Sequence, residues 1–318
     1  MTLAKWVAVA CGLVAAVAIG LYVNARSGLV ALDDDARSRA PGEFVELSDG
    51  QVHFAWHGPE TGPVTVLVHG FSTPSFVWTG ILGPLTDAGM RVLTYDHYGR
   101  GFSDRPHGTY DAARFERQLL ELLASQSVSE PVDLVGYSMG GAIVAHFTAN
   151  HAERVRRVAL IAPAGFAVNS GAATELLRIP VIGDWLMAVV GRQTLLDVMA
   201  LPENQGRALP DIAERCEDQM RFEGYLRALL ATMRDFPMGA MDAEFERVGK
   251  IEIPVLSIWG RLDNTVPIEN AERLTTAVPQ AEVEIIEEGT HAITYSEPER
   301  VSTALIAFFG RPDELARE

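Results

Sequence analysis

Apolar and polar positions divide this chain into three kinds of segment. The first is Trp6 to Val23, uncharged and apolar on every side. At ~1.5 Å per residue a helix of this length spans ~27 Å, close to a ~30 Å hydrocarbon core. Lys5 and Arg26 flank it and can reach back to the polar boundary. A retained single-pass anchor is the favoured reading. A cleaved leader is the second, because Val23-Asn24-Ala25 resembles a small-residue cleavage site, although such leaders have shorter apolar cores. A helix buried in a soluble core is the third reading, and the all-round apolar surface weakens it.

The second kind of segment is a short apolar run followed by a helix-compatible stretch, repeated many times. Phe44–Ser48 and Gln51–Trp56 flank Asp49-Gly50, a two-residue hairpin signal. Val64–Val68, Pro131–Val135, Val158–Ile161, Ile253–Gly260 and Val283–Ile286 then read as buried strands alternating with helices. That alternation predicts a mostly parallel sheet with helices on both faces. A last helix is marked by Ser296-x-x-Glu299 as a capping box, Pro298 in its first turn and Gly310 at its end.

The third kind interrupts the alternation. Between Ile161 and Pro254 lie about 90 residues with no clear strand, and runs such as Ala213–Arg234 suggest helices. The expected organisation is therefore an anchor or signal peptide over 1–26, a polar linker over 27–42, a core over 43–165, a helical cap over 166–250 and the rest of the core over 251–311. Within the cap, Ile179–Val190 is conspicuously apolar. It is expected to pack on the core or line a pocket; the sharper alternative is that it touches lipid, with Trp185 at the interface.

Composition narrows the function classes. The 318 residues carry a net charge of −16, which argues against a nucleic-acid partner. Lys5 and Lys250 are the only two lysines. Of the two cysteines, Cys11 lies in the apolar N-terminal run and Cys216 in the cap, so a disulfide between them is not expected. No metal-ligand spacing or phosphate loop stands out, so neither metal nor cofactor is expected. Counting only Lys and Arg around the apolar run favours a cytoplasmic main domain. A short basic N-terminus before a long apolar run favours an extracytoplasmic main domain.

The chemistry concentrates at Gly136-Tyr137-Ser138-Met139-Gly140-Gly141, between a strand and a helix. Strand, G-x-S-x-G, helix is the context of a nucleophile elbow, a turn so tight that only small residues two positions either side let strand and helix approach. A serine hydroxyl needs a histidine base, and the histidine needs a carboxylate to fix its tautomer. Asp263 follows the strand ending at Gly260, and His291 follows the strand ending at Ile286. Both lie on loops past strand C-termini, where open α/β sheets place their chemistry. His69 precedes the serine in another motif. His146 is expected to pack, His53, His57, His107 and His151 fall on surface-like segments, and His97 is placed at the rim of the pocket. The N–H groups of Met139 and Phe71 are the expected oxyanion donors, the first following the nucleophile and the second following the strand Val64–Val68.

Five ordered motifs carry a family resemblance: His69-Gly70-Phe71, Tyr95–Asp104, the Ser138 elbow, Trp259-Gly260-x-x-Asp263 and Gly289-Thr290-His291. Together they resemble the α/β-hydrolase fold family, in its capped esterase and lipase branch, over about Glu43 to Phe309. The resemblance implies a Ser138–His291–Asp263 triad and places a lid at the strand-free stretch. The second motif often carries leucine where this chain has His97. A serine at the elbow sets the chain apart from dehalogenases and epoxide hydrolases of this fold, which use aspartate there. The expected function is a membrane-anchored serine hydrolase of acyl-ester lipids. Alternatives are a hydrolase of small soluble esters or of a carbon–carbon bond, and a non-catalytic binding protein on the same fold.

Overall fold

A computed structural model describes residues 2–166 and 172–312. Met1 and part of the stretch expected as the cap, 167–171, therefore lie outside the described residues.

The core is one eight-stranded sheet in the order β1-β2-β4-β3-β5-β6-β7-β8. The strands are β1 Glu43–Leu47, β2 Gly50–His57, β3 Val64–Val68, β4 Arg91–Tyr95, β5 Val132–Tyr137, β6 Val155–Ile161, β7 Val255–Gly260 and β8 Ala281–Ile286. β1 and β2 pair antiparallel, as do β2 and β4; all other neighbours are parallel. The parallel strands β3, β5 and β7 are buried at every position, whereas the edge strand β8 is mostly open. Strands covered on both faces have no polar alternation to keep, which is why they read as continuous apolar runs.

Apolar clusters lie on both faces of the sheet. One gathers Leu119, Ile143, Phe147 and Phe245; the other gathers Trp78, Ile81, Leu229 and Leu305. The chain leaves β3 for β4 on one side and returns to place β5 on the other. The loops after β3 and β5 therefore diverge and leave a crevice at their C-terminal ends.

Three local expectations are corrected. The hairpin pairs Leu47 with Gly50, so its two-residue turn is Ser48-Asp49, one position earlier than expected. Gly50 opens β2 at φ +126°, and a Cβ there would meet the Asp104 side chain. Ser296 does not cap the last helix: it ends the short helix Ile293–Ser296, and Glu297 occupies the cap position of Pro298–Phe309 without a side-chain cap. The expected linker over 27–42 is docked. Val30 bridges Phe222, Asp33 caps the helix Asp34–Arg37, and Arg37 pairs with Asp104.

The strand-free stretch between β6 and β7 is helical, including Ala172–Arg178, Ile182–Leu186, a π-helical turn Met187–Gly191 and Arg192–Met199. The run expected over Ala213–Arg234 is two helices, Ile212–Met220 and Tyr225–Asp235, broken at Gly224 in the left-handed region. The N-terminal helix Leu3–Arg26 has no buried residue, which removes the reading of a soluble core helix. It is the one helix among the described residues long and apolar enough to cross a membrane.

Candidate active site

β5 delivers Ser138 on a backbone that few side chains tolerate. Ser138 sits at φ +53°, ψ −120°, a conformation that costs on the order of 1–3 kcal/mol and is held only by its surroundings. Those surroundings are hydrogen bonds from Ser138 N–H to the Ile161 carbonyl and from Ala164 N–H to the Ser138 carbonyl, each 2.9 Å. The helix Met139–Asn150 starts immediately after. A Cβ on Gly136 would lie 2.5 Å from the Gly140 carbonyl, and one on Gly140 would lie 2.0 Å from the Val68 carbonyl. The elbow closes because both positions lack that atom.

The loops after β7 and β8 bring the partners. Ser138 Oγ lies 3.0 Å from His291 Nε2, and His291 Nδ1 lies 2.7 Å from Asp263 Oδ2. The other Asp263 oxygen accepts the N–H groups of Thr265 and Val266 at 2.7 and 2.8 Å. With its carboxylate side buried, Asp263 is committed to accepting, so the Nδ1–H tautomer of His291 fits and Nε2 faces the serine as an acceptor. Tyr137 holds the imidazole from the other side. Its hydroxyl donates to the His291 carbonyl at 2.8 Å, and the two rings lie 5.3 Å apart at 32°. Burial pushes the Tyr137 phenol well above its usual pKa, so it stays a donor.

The loop after β3 runs beside the serine, so that a Cβ on Gly70 would come within 3.3 Å of the Ser138 side chain. The N–H groups of Phe71 and Met139 are not taken up by any hydrogen bond among the described residues. Met139 opens its helix, where N–H groups lack intrahelical acceptors and the dipole favours negative charge.

The loop after β4 supports the β3 loop from behind, a layer that the sequence reading misplaced. His97 is fully buried rather than at a rim, ringed by His69, Tyr95 and Phe115. Its N–H donates to His69 Nε2 and its Nε2–H donates to the His69 carbonyl, each at 2.9 Å, while His69 Nδ1–H donates to the Gly70 carbonyl at 2.9 Å. Each ring therefore has one settled tautomer. Burial drives both to the neutral form: His69 falls to about 4, and His97 drops well below the ordinary histidine value. Arg100, also fully buried, donates Nε–H to the Phe71 carbonyl at 2.9 Å. Arg100 lies inside the Tyr95–Asp104 motif but no role was expected of it; the one available signal was an arginine between the glycines of the Gly99-x-Gly101 turn.

His53 is corrected as well. It is buried, with Nδ1 2.8 Å from Asp96 Oδ2, while Asp96 Oδ1 accepts Ser75 N–H at 2.8 Å. Burial alone would lower the His53 pKa, but the Asp96 carboxylate overrides it and holds the ring above its ordinary value. Burial likewise works against the Asp96 carboxylate, and His53 prevails, keeping its pKa far below the usual range. His146 and His151 both reach Glu116, at 2.7 and 2.5 Å, away from the site. Among the described residues no group of three or more His, Cys, Asp or Glu side chains could hold a metal ion.

A buried acceptor–imidazole–hydroxyl line at the elbow of such a sheet defines a hydrolase of the α/β type. The chain belongs to the alpha/beta hydrolase family, whose model matches residues 65–304. It is 25% identical to the 2-hydroxy-6-oxononadienedioate/2-hydroxy-6-oxononatrienedioate hydrolase of Paraburkholderia phymatum, over 86% of this chain and 96% of that protein. The crystal structure of the enol-lactonase from Burkholderia xenovorans superposes with a TM-score of 0.72 at 20% identity, covering 85% of this chain and all of that one. A crystal structure described as a membrane phospholipase A, a bacterial virulence factor, superposes with a TM-score of 0.64 at 25% identity. That match covers 97% of this chain and 96% of the phospholipase chain.

Proposed function

We propose that this hydrolase cleaves carboxylic esters of acyl lipids at a membrane to which its N-terminal helix anchors it, with the main domain on the extracytoplasmic side. The carrying observation is the line Ser138 Oγ–His291 Nε2–Asp263, with separations of 3.0 and 2.7 Å. Ser138 Oγ attacks the ester carbonyl while His291 Nε2 takes its proton. The carbonyl electron pair becomes an oxyanion, held by the N–H groups of Phe71 and Met139. Collapse of this intermediate breaks the bond to the alcohol, which leaves with the proton from His291. His291 then deprotonates a water that attacks the acyl-enzyme, and the fatty acid departs as Ser138 regains its proton. Asp263 stays ionised throughout and stabilises the imidazolium.

Three observations support a lipid substrate: the exposed apolar helix Leu3–Arg26, the exposed aliphatic side chains of Ile179, Val181, Ile182 and Val190 in the insertion between β6 and β7, and the likeness to a phospholipase A structure along 97% of the chain. A second reading, hydrolysis of a carbon–carbon bond in a soluble diketone, is favoured by the likeness to the Paraburkholderia enzyme.

The test is hydrolysis across esters of increasing acyl length, including monoacylglycerol and phospholipid in micelles, beside a vinylogous 1,5-diketone. An optimum on long-chain lipid is expected, and Ser138→Ala should lower kcat by about 10⁴-fold or more with the fold intact. Turnover confined to the diketone would overturn the ester reading. An optimum on short soluble esters would leave the mechanism and remove the lipid.

A further inference from the structure

The N-terminal helix does not stand free of the rest of the chain. Trp185 Nε1–H donates to the Ala18 carbonyl at 2.8 Å, and the π-helical turn Met187–Gly191 packs against the same helix. The half-buried positions of this helix are Ala18, Tyr22 and Ala25, the spacing of one helical face. A second tie follows it, through the backbone bonds Val30 N–H to the Arg221 carbonyl and Glu223 N–H to the Val30 carbonyl, both 2.9 Å. The helix and the helical insertion are thus joined side by side.

This joint fixes depth. Ala18 lies five residues inside the apolar run that ends at Val23, about 7 Å along the axis. If the helix spans a bilayer, as proposed above, Trp185 is carried to that depth, where indole rings favour the boundary between headgroups and acyl chains. Its neighbours suit the same environment. Ile179, Val181, Ile182 and Val190 are all exposed, Val181 at 78%. Val181 is held at φ +66°, a conformation unfavourable for a β-branched residue, with its N–H bound to the Asp184 carboxylate at 2.9 Å. Asp184 is the only charged residue of Ile179–Val190, and the Arg234 guanidinium meets it through two bonds of 3.2 and 3.1 Å. The turn therefore presents aliphatic side chains outward and keeps its one charge paired.

We propose that Ile179–Val190 is a membrane-docking edge that rests in the interfacial layer of the bilayer beside the anchor. This rests on the anchor reading. Its partner is a zwitterionic phospholipid surface, because a chain of net charge −16 gains nothing from anionic lipid. The edge belongs to the helical insertion between β6 and β7 and is tied to the anchor through Trp185, so docking would fix how the insertion sits at the bilayer.

The test uses the full chain with Cys11→Ala, which leaves only the buried Cys216. A nitroxide is attached at Val181→Cys or at Leu13→Cys in the anchor, and the protein is reconstituted into phosphatidylcholine vesicles. Accessibility to oxygen and to a water-soluble nickel complex is read by electron paramagnetic resonance. The expected result is loss of nickel accessibility with retained oxygen accessibility at both labels. Nickel access at 181 with exclusion at 13 would overturn the docking edge and leave the anchor. Nickel access at both would overturn both. Exclusion of both probes at 181 would mean that protein, such as a second copy, covers the edge, and would also overturn the inference.

Discussion

The crevice and the rim of the helical insertion handle exposure in opposite ways. Around Ser138 the polar groups are drawn inward: His53, His69, Asp96, His97, Arg100 and Asp263 are all buried. Each uses its hydrogen bonds to fix a loop rather than to meet solvent. At the rim the aliphatic side chains are turned outward, and the lone charge, Asp184, is neutralised. Buried polar networks define one geometry because an unpaired member is costly. Exposed apolar surface defines a preference for surroundings. One region is arranged to move a proton; the other, on the docking proposed above, would set where the molecule sits.

The contrast can be broken most severely at the elbow. In Gly140→Ala the new Cβ would need the place of backbone around the Val68 carbonyl, only 2.0 Å away. A loss of about 3 kcal/mol is expected, on the order of 10 °C in Tm by calorimetry, with loss of hydrolysis. Wild-type stability and activity would show that the sheet yields there. A milder break is His97→Leu, which removes the Nε2–H donor from the His69 carbonyl but keeps an apolar filling. The expected outcome is a kcat lowered about tenfold at unchanged KM, as for a loosened oxyanion loop, with partial recovery in His97→Gln. An unchanged kcat would reduce His97 to packing.

The smallest effect concerns pH. His53 has its pKa raised in the folded chain. Its pairing with Asp96 therefore stabilises fully below the unfolded value of 6.5 and is lost as pH rises through the raised value. The Tm difference between wild type and His53→Gln should be larger at pH 6 than at pH 9. A difference that grew with pH would mean that the ring is neutral against Asp96.

How much of this was legible depends on whether local pattern or tertiary contact decided it. β3, β5 and β7 were legible because burial on both faces leaves uninterrupted apolar runs. The loops carrying Ser138, Asp263 and His291 were legible because the parallel order puts them at one edge of the sheet, and the structure brings these three together. His53 and His97 were not, since a histidine on a strand or loop gives no sign of the carboxylate or carbonyl that folding will supply. The hairpin turn slipped by one residue because Asp104, 54 residues after Gly50, occupies the space beside Gly50. Ser296 had the right spacing for a cap, but Ile293–Ser296 had already turned as a helix of its own. The bond from Trp185 to Ala18 joins positions 167 residues apart, beyond any local signal.

The scarcity of lysine gives the chain a built-in pair of address labels. Lys5 lies in the first turn of the helix Leu3–Arg26, ahead of its apolar run, and Lys250 lies beyond the helix in the main domain; both are exposed. If the helix spans a membrane, as proposed above, a charged amine-reactive reagent added outside sealed cells meets one or the other according to how it is threaded. A peptide carrying modified Lys250 would mark a domain facing outward, and modification confined to Lys5 and the amino terminus would mark one facing inward. The native sequence thus reports its own orientation without an added tag.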